Sequence, residues 1–196
     1  MSAPAHGLPP RKARAGAAFA AAAASGLVGL ALSGAATAIA AAVLGALTVF
    51  IVFEDVERYR VADAANLTLF LTGTLWSAIQ AVSGGSTVAA ALGGAVLAAA
   101  VCGGALYLLR VTHAALSGRE GIGLGDVKFC AAAGTWVGIM QFPFVLLAAS
   151  LAALVFVGLC SLLGSGWSRD RRLPFAAFLA PALLVVWLAS QAGTGT

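Results

Sequence analysis

Charge is what this sequence has least of: only 9% of its 196 residues are Asp, Glu, Lys or Arg, while 61% are hydrophobic. A chain so poor in charge has no means of covering a water-facing surface, which excludes a globular soluble domain and points to an integral-membrane protein. Histidine is almost as scarce. His6 lies in the N-terminal lead and His113 in a polar loop, without metal-ligand spacing, so no metal is expected. Cys102, Cys130 and Cys160 each stand alone in apolar runs with no Cys-x-x-Cys pair. That argues against zinc and against a disulfide framework, and makes them small packing residues. There is no Gly-x-Ser-x-Gly nucleophile elbow. The glycines spell neither Gly-x-Gly-x-x-Gly nor Gly-x-x-x-x-Gly-Lys, so no phosphate loop and no cofactor is expected. The net charge of +4 comes from small clusters between apolar segments, which membrane topology explains without nucleic acid.

What the chain does have is a series of long apolar runs, which predict an all-α, polytopic transmembrane bundle. Residues 1–15 form a basic lead, expected to be disordered and cytoplasmic. Its basic start before an alanine-rich run has the form of a signal peptide, yet further spans follow, so retention is expected rather than cleavage. A single helix over 16–53 would measure roughly 57 Å against a hydrocarbon core of ~30 Å, so two helices with a turn at Ser33-Gly34 fit better. The remaining spans are expected at about 66–83, 88–109, 126–141, 143–163 and 174–190, giving seven with 16–33 and 35–53 in one membrane domain over 16–192. Proline at Gln141-Phe-Pro143 is read as the turn between the fifth and sixth.

Seven spans put the loops on alternating sides, and the basic residues agree. Arg11, Lys12 and Arg14, then Arg58 and Arg60, then Arg110, Arg119 and Lys128, then Arg169, Arg171 and Arg172 fall on one side. The opposite connections contain no Lys or Arg. By the positive-inside rule the basic side is the cytoplasm.

Two carboxylates, Asp55 after the second span and Asp126 at the start of the fifth, then meet the same membrane boundary. A pair of this kind can share a proton, one member acting as base toward water while the other protonates a carbonyl oxygen. Blander readings compete. Asp126 follows a glycine at a helix start and suits an N-cap, Asp55 suits an interfacial charge beside Arg58, and the glycines at 121, 123 and 125 suit close helix packing. Asn66-Leu-Thr68 matches a glycosylation sequon at the cytoplasmic end of a span, where it is coincidence.

The stretch Gly121-Ile-Gly123-Leu-Gly125-Asp126-Val-Lys128-Phe, followed by Gly134-Thr-Trp136-Val-Gly138, resembles the signature of the type IV prepilin peptidases, a family of Gly-x-Gly-Asp intramembrane aspartyl proteases. Asp55-Val-Glu-Arg58-Tyr-Arg60-Val61-Ala62-Asp63 is similar to the family's second aspartate motif, with Ala62 where proline is usual. Leu173-Pro174-Phe175-Ala-Ala-Phe178-Leu179 resembles its entry to the last helix. The resemblance implies a six-helix peptidase-like core plus an extra N-terminal helix. It implies Asp55 and Asp126 as the catalytic pair, with Asp63 the fallback for Asp55, and Gly123, Gly125 and Lys128 as motif support. It also implies an aspartic endopeptidase of the inner membrane that cuts the basic leader from type IV pilin-like precursors at the cytoplasmic face. The substrate protein and membrane lipid are the expected partners. Without the family's cysteine-containing insert, N-methylation of the product is not expected.

Helix dipoles add one expectation of their own. Asp55 at a helix C-terminus is disfavoured as an anion and Asp126 at an N-terminus favoured, so Asp126 is expected to be the ionised base and Asp55 the proton-carrying acid. Glu54, Glu57 and Glu120 are candidates to receive a basic leader. The competing function is a small transporter or channel-like subunit with Asp55 and Asp126 as a proton or cation relay; a purely structural membrane subunit is the third.

Overall fold

The computed structural model describes residues 11–59, 61–118, 122–163 and 174–194. Arg60, Arg119, Glu120, Gly121, the cluster at 169–172, Leu173 and the first ten residues of the basic lead lie outside them. The described residues form helices only: α1 (Arg11–Ser33), α2 (Ala35–Arg58), α3 (Asp63–Ser83), α4 (Val88–Ser117), α5 (Leu124–Leu162) and α6 (Ala176–Thr194). All but α3 are long and apolar enough to cross a membrane by length and composition. The protein is a multi-pass helical membrane bundle. α3 is more polar, but Thr68, Thr72, Thr74 and Ser77 each donate to a carbonyl one turn back in the same helix, which satisfies them without water.

α1 starts at Arg11, inside the stretch read as the disordered lead, and breaks from α2 at Gly34, whose φ of 94° suits glycine. Small residues hold the two together: the Ser25 hydroxyl donates to the Ala41 carbonyl at 2.8 Å, and Gly29 faces Thr37 and Ala41 with no room for a side chain. At the far end of this hairpin Arg14 pairs with Glu57 and lies over the Phe53 ring.

α5 corrects the expected turn at Pro143. The backbone leaves helical geometry at Gly138 (φ 69°, ψ 178°), and Pro143 sits inside the helical stretch that follows. A straight helix would separate Asp126 from Phe156 by about 45 Å. Yet the Phe156 ring lies 5.6 Å from that of Phe178, next to Ala177, whose N–H is bonded to Asp55. The second half of α5 therefore runs back toward the end from which the first half set out. The reversal needs a left-handed residue, which Gly138 supplies and proline with its fixed negative φ does not.

α4 overruns its expected end by two turns, so Arg110 and His113 are helical rather than in a loop; it stops at Gly118 (φ 65°), whose N–H caps the Ala114 carbonyl. The core lies where α3, α5 and α6 meet. Trp187 of α6 is fully buried and packs edge-on against Trp76 and Trp136, with ring centroids at 5.4 and 5.5 Å. The Trp136 indole N–H donates to the Leu69 carbonyl, locking α5 to α3.

Candidate active site

Both aspartates sit at the same end of the bundle, brought there by three different helices. Asp55 lies in the last turn of α2, only 5% exposed. α2 stops four residues later at Tyr59, in the left-handed region (φ 50°), whose N–H bonds the Asp55 carbonyl at 2.8 Å. The Asp55 side chain turns away from its own helix end and accepts the Ala177 N–H at 2.9 Å. Ala177 belongs to the first turn of α6, where the N–H groups have no partner within the helix.

Asp126 is half-buried in the first turn of α5, three residues after Gly123, which is the N-cap. The N-cap expectation for Asp126 is thus displaced by three positions: its carboxylate faces back toward the Gly123 N–H, the reciprocal half of a capping box. The Asp55 and Asp126 carboxylates lie within range of each other's charge.

The link between α2 and α3 is pinned against both. Glu54 accepts the Ala62 N–H at 3.2 Å and also faces Arg58 at 3.7 Å. Val61 is buried, its backbone nitrogen 3.6 Å from where a Cβ on Gly125 would stand. Arg110 donates to the Ile122 carbonyl at 2.7 Å and holds the approach to α5 from the side of α4. Gly123 and Gly125 therefore have more room than the close-packing reading requires: a Cβ at either would make contacts of 3.4 Å or longer. Tight glycines lie elsewhere in the bundle: Gly29 and Gly45 between α1 and α2, and Gly73, Gly103 and Gly134 where α3, α4 and α5 meet.

Asp63 is exposed and pairs with Lys128 at 2.6 Å, two exposed side chains that clip the start of α3 to the start of α5. Asp63 thus faces Lys128, whereas the buried Asp55 lies against the start of α6. An ion pair so open to water contributes under about 1 kcal/mol. Lys128→Ala and Asp63→Asn should each lower the thermal midpoint by a few degrees at most, with the double variant no worse than either single one. A much larger loss in the double variant would mean the pair does more than clip two helices.

Two further expectations change. Glu57 is engaged by Arg14, and Glu54 by Ala62 and Arg58, so neither is a free acidic receptor; Glu120 lies outside the described residues. The dipole argument for Asp55 also loses its premise. Its carboxylate rests on the N-terminus of α6, not in the field of its own helix end, so both aspartates have a helix N-terminus behind them.

The model of the type IV leader peptidase family matches residues 42–158, a stretch that contains Asp55, the Val61 and Ala62 link, Gly123, Gly125, Asp126 and Lys128. The chain belongs to this family. Among its curated relatives, a prepilin leader peptidase/N-methyltransferase of Aeromonas hydrophila is 31% identical over 152 residues, covering 76% of this chain and 49% of that protein. Proteins of the same name from Legionella pneumophila and Neisseria gonorrhoeae are 32% and 30% identical over 139 and 113 residues. They cover 71% and 58% of this chain, and 46% and 37% of the relatives. The chain thus spans about half the length of the curated relatives it matches. No solved structure matches it.

Sequence reasoning missed the contribution of α6. The Leu-Pro-Phe entry was noted only as a likeness; its physical content is a helix start whose Ala177 N–H meets a carboxylate 122 residues away in sequence. It also missed Glu54 and Arg110 as loop clamps, although their positions beside the two motifs were the available signal.

Proposed function

We propose that this chain is a leader peptidase: it hydrolyses the peptide bond after the leader of type IV pilin-like precursors, with Asp55 and Asp126 activating a water between them. The observation that supports the reading is that two carboxylates from different helices, far apart in sequence, come to one end of the bundle, Asp55 against the start of α6 and Asp126 in the first turn of α5, within range of each other's charge. Like charges this close are best relieved by one shared proton. Each carboxylate has a backbone N–H to receive, that of Ala177 for Asp55 and that of Gly123 for Asp126, so the helix ends no longer favour one aspartate over the other as the anion.

In the reaction the ionised carboxylate takes a proton from water as its oxygen attacks the scissile carbonyl carbon, and the protonated carboxyl gives its proton to the carbonyl oxygen. As the tetrahedral diol collapses, the carboxyl that now holds the proton gives it to the leaving nitrogen while the other carboxylate takes a proton from a diol hydroxyl, so the C–N bond breaks and the pair again holds one proton. No metal or cofactor enters this sequence. The proposal is confined to the peptidase half of the relatives' names, and N-methylation is not assigned to this chain.

The site faces the cytoplasm in this reading. Lys12, Arg14, Arg58, Arg110 and Lys128 share the end of the bundle that carries the aspartates, and the turns at Gly34, Gly85 and Gly138 at the other end contain no Lys or Arg. The same distribution argues against an ion relay. Among the described residues Glu54, Asp55, Glu57, Asp63 and Asp126 are all at one end, leaving no acidic step across the bundle. The test is to mix membranes carrying the chain with a pilin-like precursor and look for the shortened product. A precursor left intact by well-folded wild-type protein defeats the reading.

A further inference from the structure

One side chain beside the aspartate pair is buried without a use. Asn66, in the first turn of α3, is 5% exposed, and neither its Oδ1 nor its Nδ2 has a hydrogen-bond partner among the described residues. A carboxamide in that state forfeits water on both a donor and an acceptor, and an apolar residue of the same shape would serve packing better. Other buried polar side chains of the bundle are engaged, Thr135 with the Ala132 carbonyl and Thr48 with the Leu44 carbonyl, and apart from Asn66 only the Trp187 indole N–H is without a partner among the described buried side chains.

Its place in the fold is fixed from both sides. The Asn66 N–H bonds the Ala62 carbonyl at 3.2 Å, and Ala62 is held by Glu54, the neighbour of Asp55, while Val61 lies against Gly125, the neighbour of Asp126. Along α3, Asn66 falls midway between Asp63, clipped to Lys128, and Leu69, bonded to Trp136. The carboxamide thus belongs to the α3 wall about one helical turn from the link between α2 and α3, which packs beside the chain neighbours of both aspartates. Of the buried α5 residues between those two clamps, Phe129, Cys130, Ala132 and Ala133 are without a strong donor or acceptor, and Thr135 already gives its hydroxyl to the Ala132 carbonyl. α3 packs more extensively on α5 and α4 than on α2, so the seam between α2 and α3 is the looser side of this wall.

We propose that the Asn66 carboxamide is the substrate's backbone contact: Oδ1 accepts a peptide N–H and Nδ2 donates to a peptide carbonyl of the precursor held in the site. The match is chemical. A primary amide carries one acceptor and one donor side by side, which is what an extended peptide group presents in complement. An extended strand advances about 3.3 Å per residue and a helical turn is about 5.4 Å, so the contact falls one or two residues from the scissile bond. This rests on the leader peptidase reading, and it makes Asn66 a substrate-binding residue whose empty-state cost is recovered when precursor enters.

The experiment compares full-length wild type with Asn66→Leu and Asn66→Gln in detergent micelles, measuring kcat and KM on a purified pilin-like precursor and the thermal midpoint without it. Asn66→Leu is expected to lose about tenfold or more in kcat/KM while its midpoint stays level or rises. Asn66→Gln, which keeps the amide on a longer stem, is expected to recover part of the loss. A purely structural asparagine gives a different pattern: a lowered midpoint for Asn66→Leu with cleavage unchanged per folded molecule. That pattern, or wild-type kcat/KM in Asn66→Leu, overturns the proposal alone. A folded wild type that leaves the precursor intact overturns the peptidase reading beneath it.

Discussion

Asp126→Asn is expected to reduce precursor cleavage by about 10³-fold or more while leaving the protein folded, and Asp55→Asn to do the same. Asparagine keeps the size of the side chain, and at position 55 its carbonyl oxygen still accepts the Ala177 N–H that anchors the end of α2 to the start of α6. What it removes is the capacity to take and return a proton. Because the two carboxyls act as one unit, the double variant should be no slower than either single one; multiplication of the two losses would mean separate roles. Asp63→Asn is the matched comparison. It alters a carboxylate that is exposed and paired with Lys128, and it is expected to retain cleavage within a few-fold. Processing that survives Asp55→Asn but fails in Asp63→Asn would move the site to the start of α3 and remove the buried pair from the mechanism. The readout is the shortened precursor over time, with the thermal midpoint of each variant recorded beside it to separate chemistry from folding.

The helical bundle was legible because its cause is local. Apolar runs too long for one crossing, broken by Gly34, Ser83 to Thr87 and the charged stretches, set the helical class and the breaks on either side of α2 and α3 without reference to any neighbour. Both aspartates were legible for the same reason: a carboxylate at the edge of an apolar run is conspicuous. Their surroundings were not. That Asp55 is buried against α6, and that Asp126 sits three residues inside its helix, depend on contacts between segments far apart in sequence. The turn at Gly138 was misread because proline and glutamine at 141–143 are the louder local signal, whereas the reversal needed positive φ. The end of α4 was misread because charged Arg110 looked like loop; a helix may continue past the membrane boundary, as this one does, when its arginine finds the Ile122 carbonyl. Asn66 was dismissed as a chance sequon, since no sequence pattern reveals that an amide will be buried with nothing to bond.

A large effect on stability is expected at Gly134, where adding a single carbon should cost roughly 1–3 kcal/mol. A Cβ there would stand 2.7 Å from the Ala98 carbonyl oxygen and 3.0 Å from the Cys102 sulfur, against the backbone of α4 and a buried side chain. Neither can yield cheaply, because Ala98 is inside a helix and Cys102 is only 1% exposed. Gly103 faces Ala131 in the same seam, so α4 and the first half of α5 approach through small residues on both sides. That seam bears on the site, since the first half of α5 carries Asp126 at its start and Trp136 near its turn. Gly134→Ala should therefore lower the thermal midpoint and also slow cleavage, by tilting the helix that presents Asp126. Gly93→Ala, on the same α4 with nothing within 4 Å of its added carbon, is the contrast: it should be neutral or stabilising by up to ~1 kcal/mol, because alanine favours the helix over glycine. Equal midpoints for the two variants would show that the α4–α5 seam can part to admit a methyl group. Asp126 would then be held in register by the clamps at Arg110 and Lys128 rather than by backbone packing beneath it.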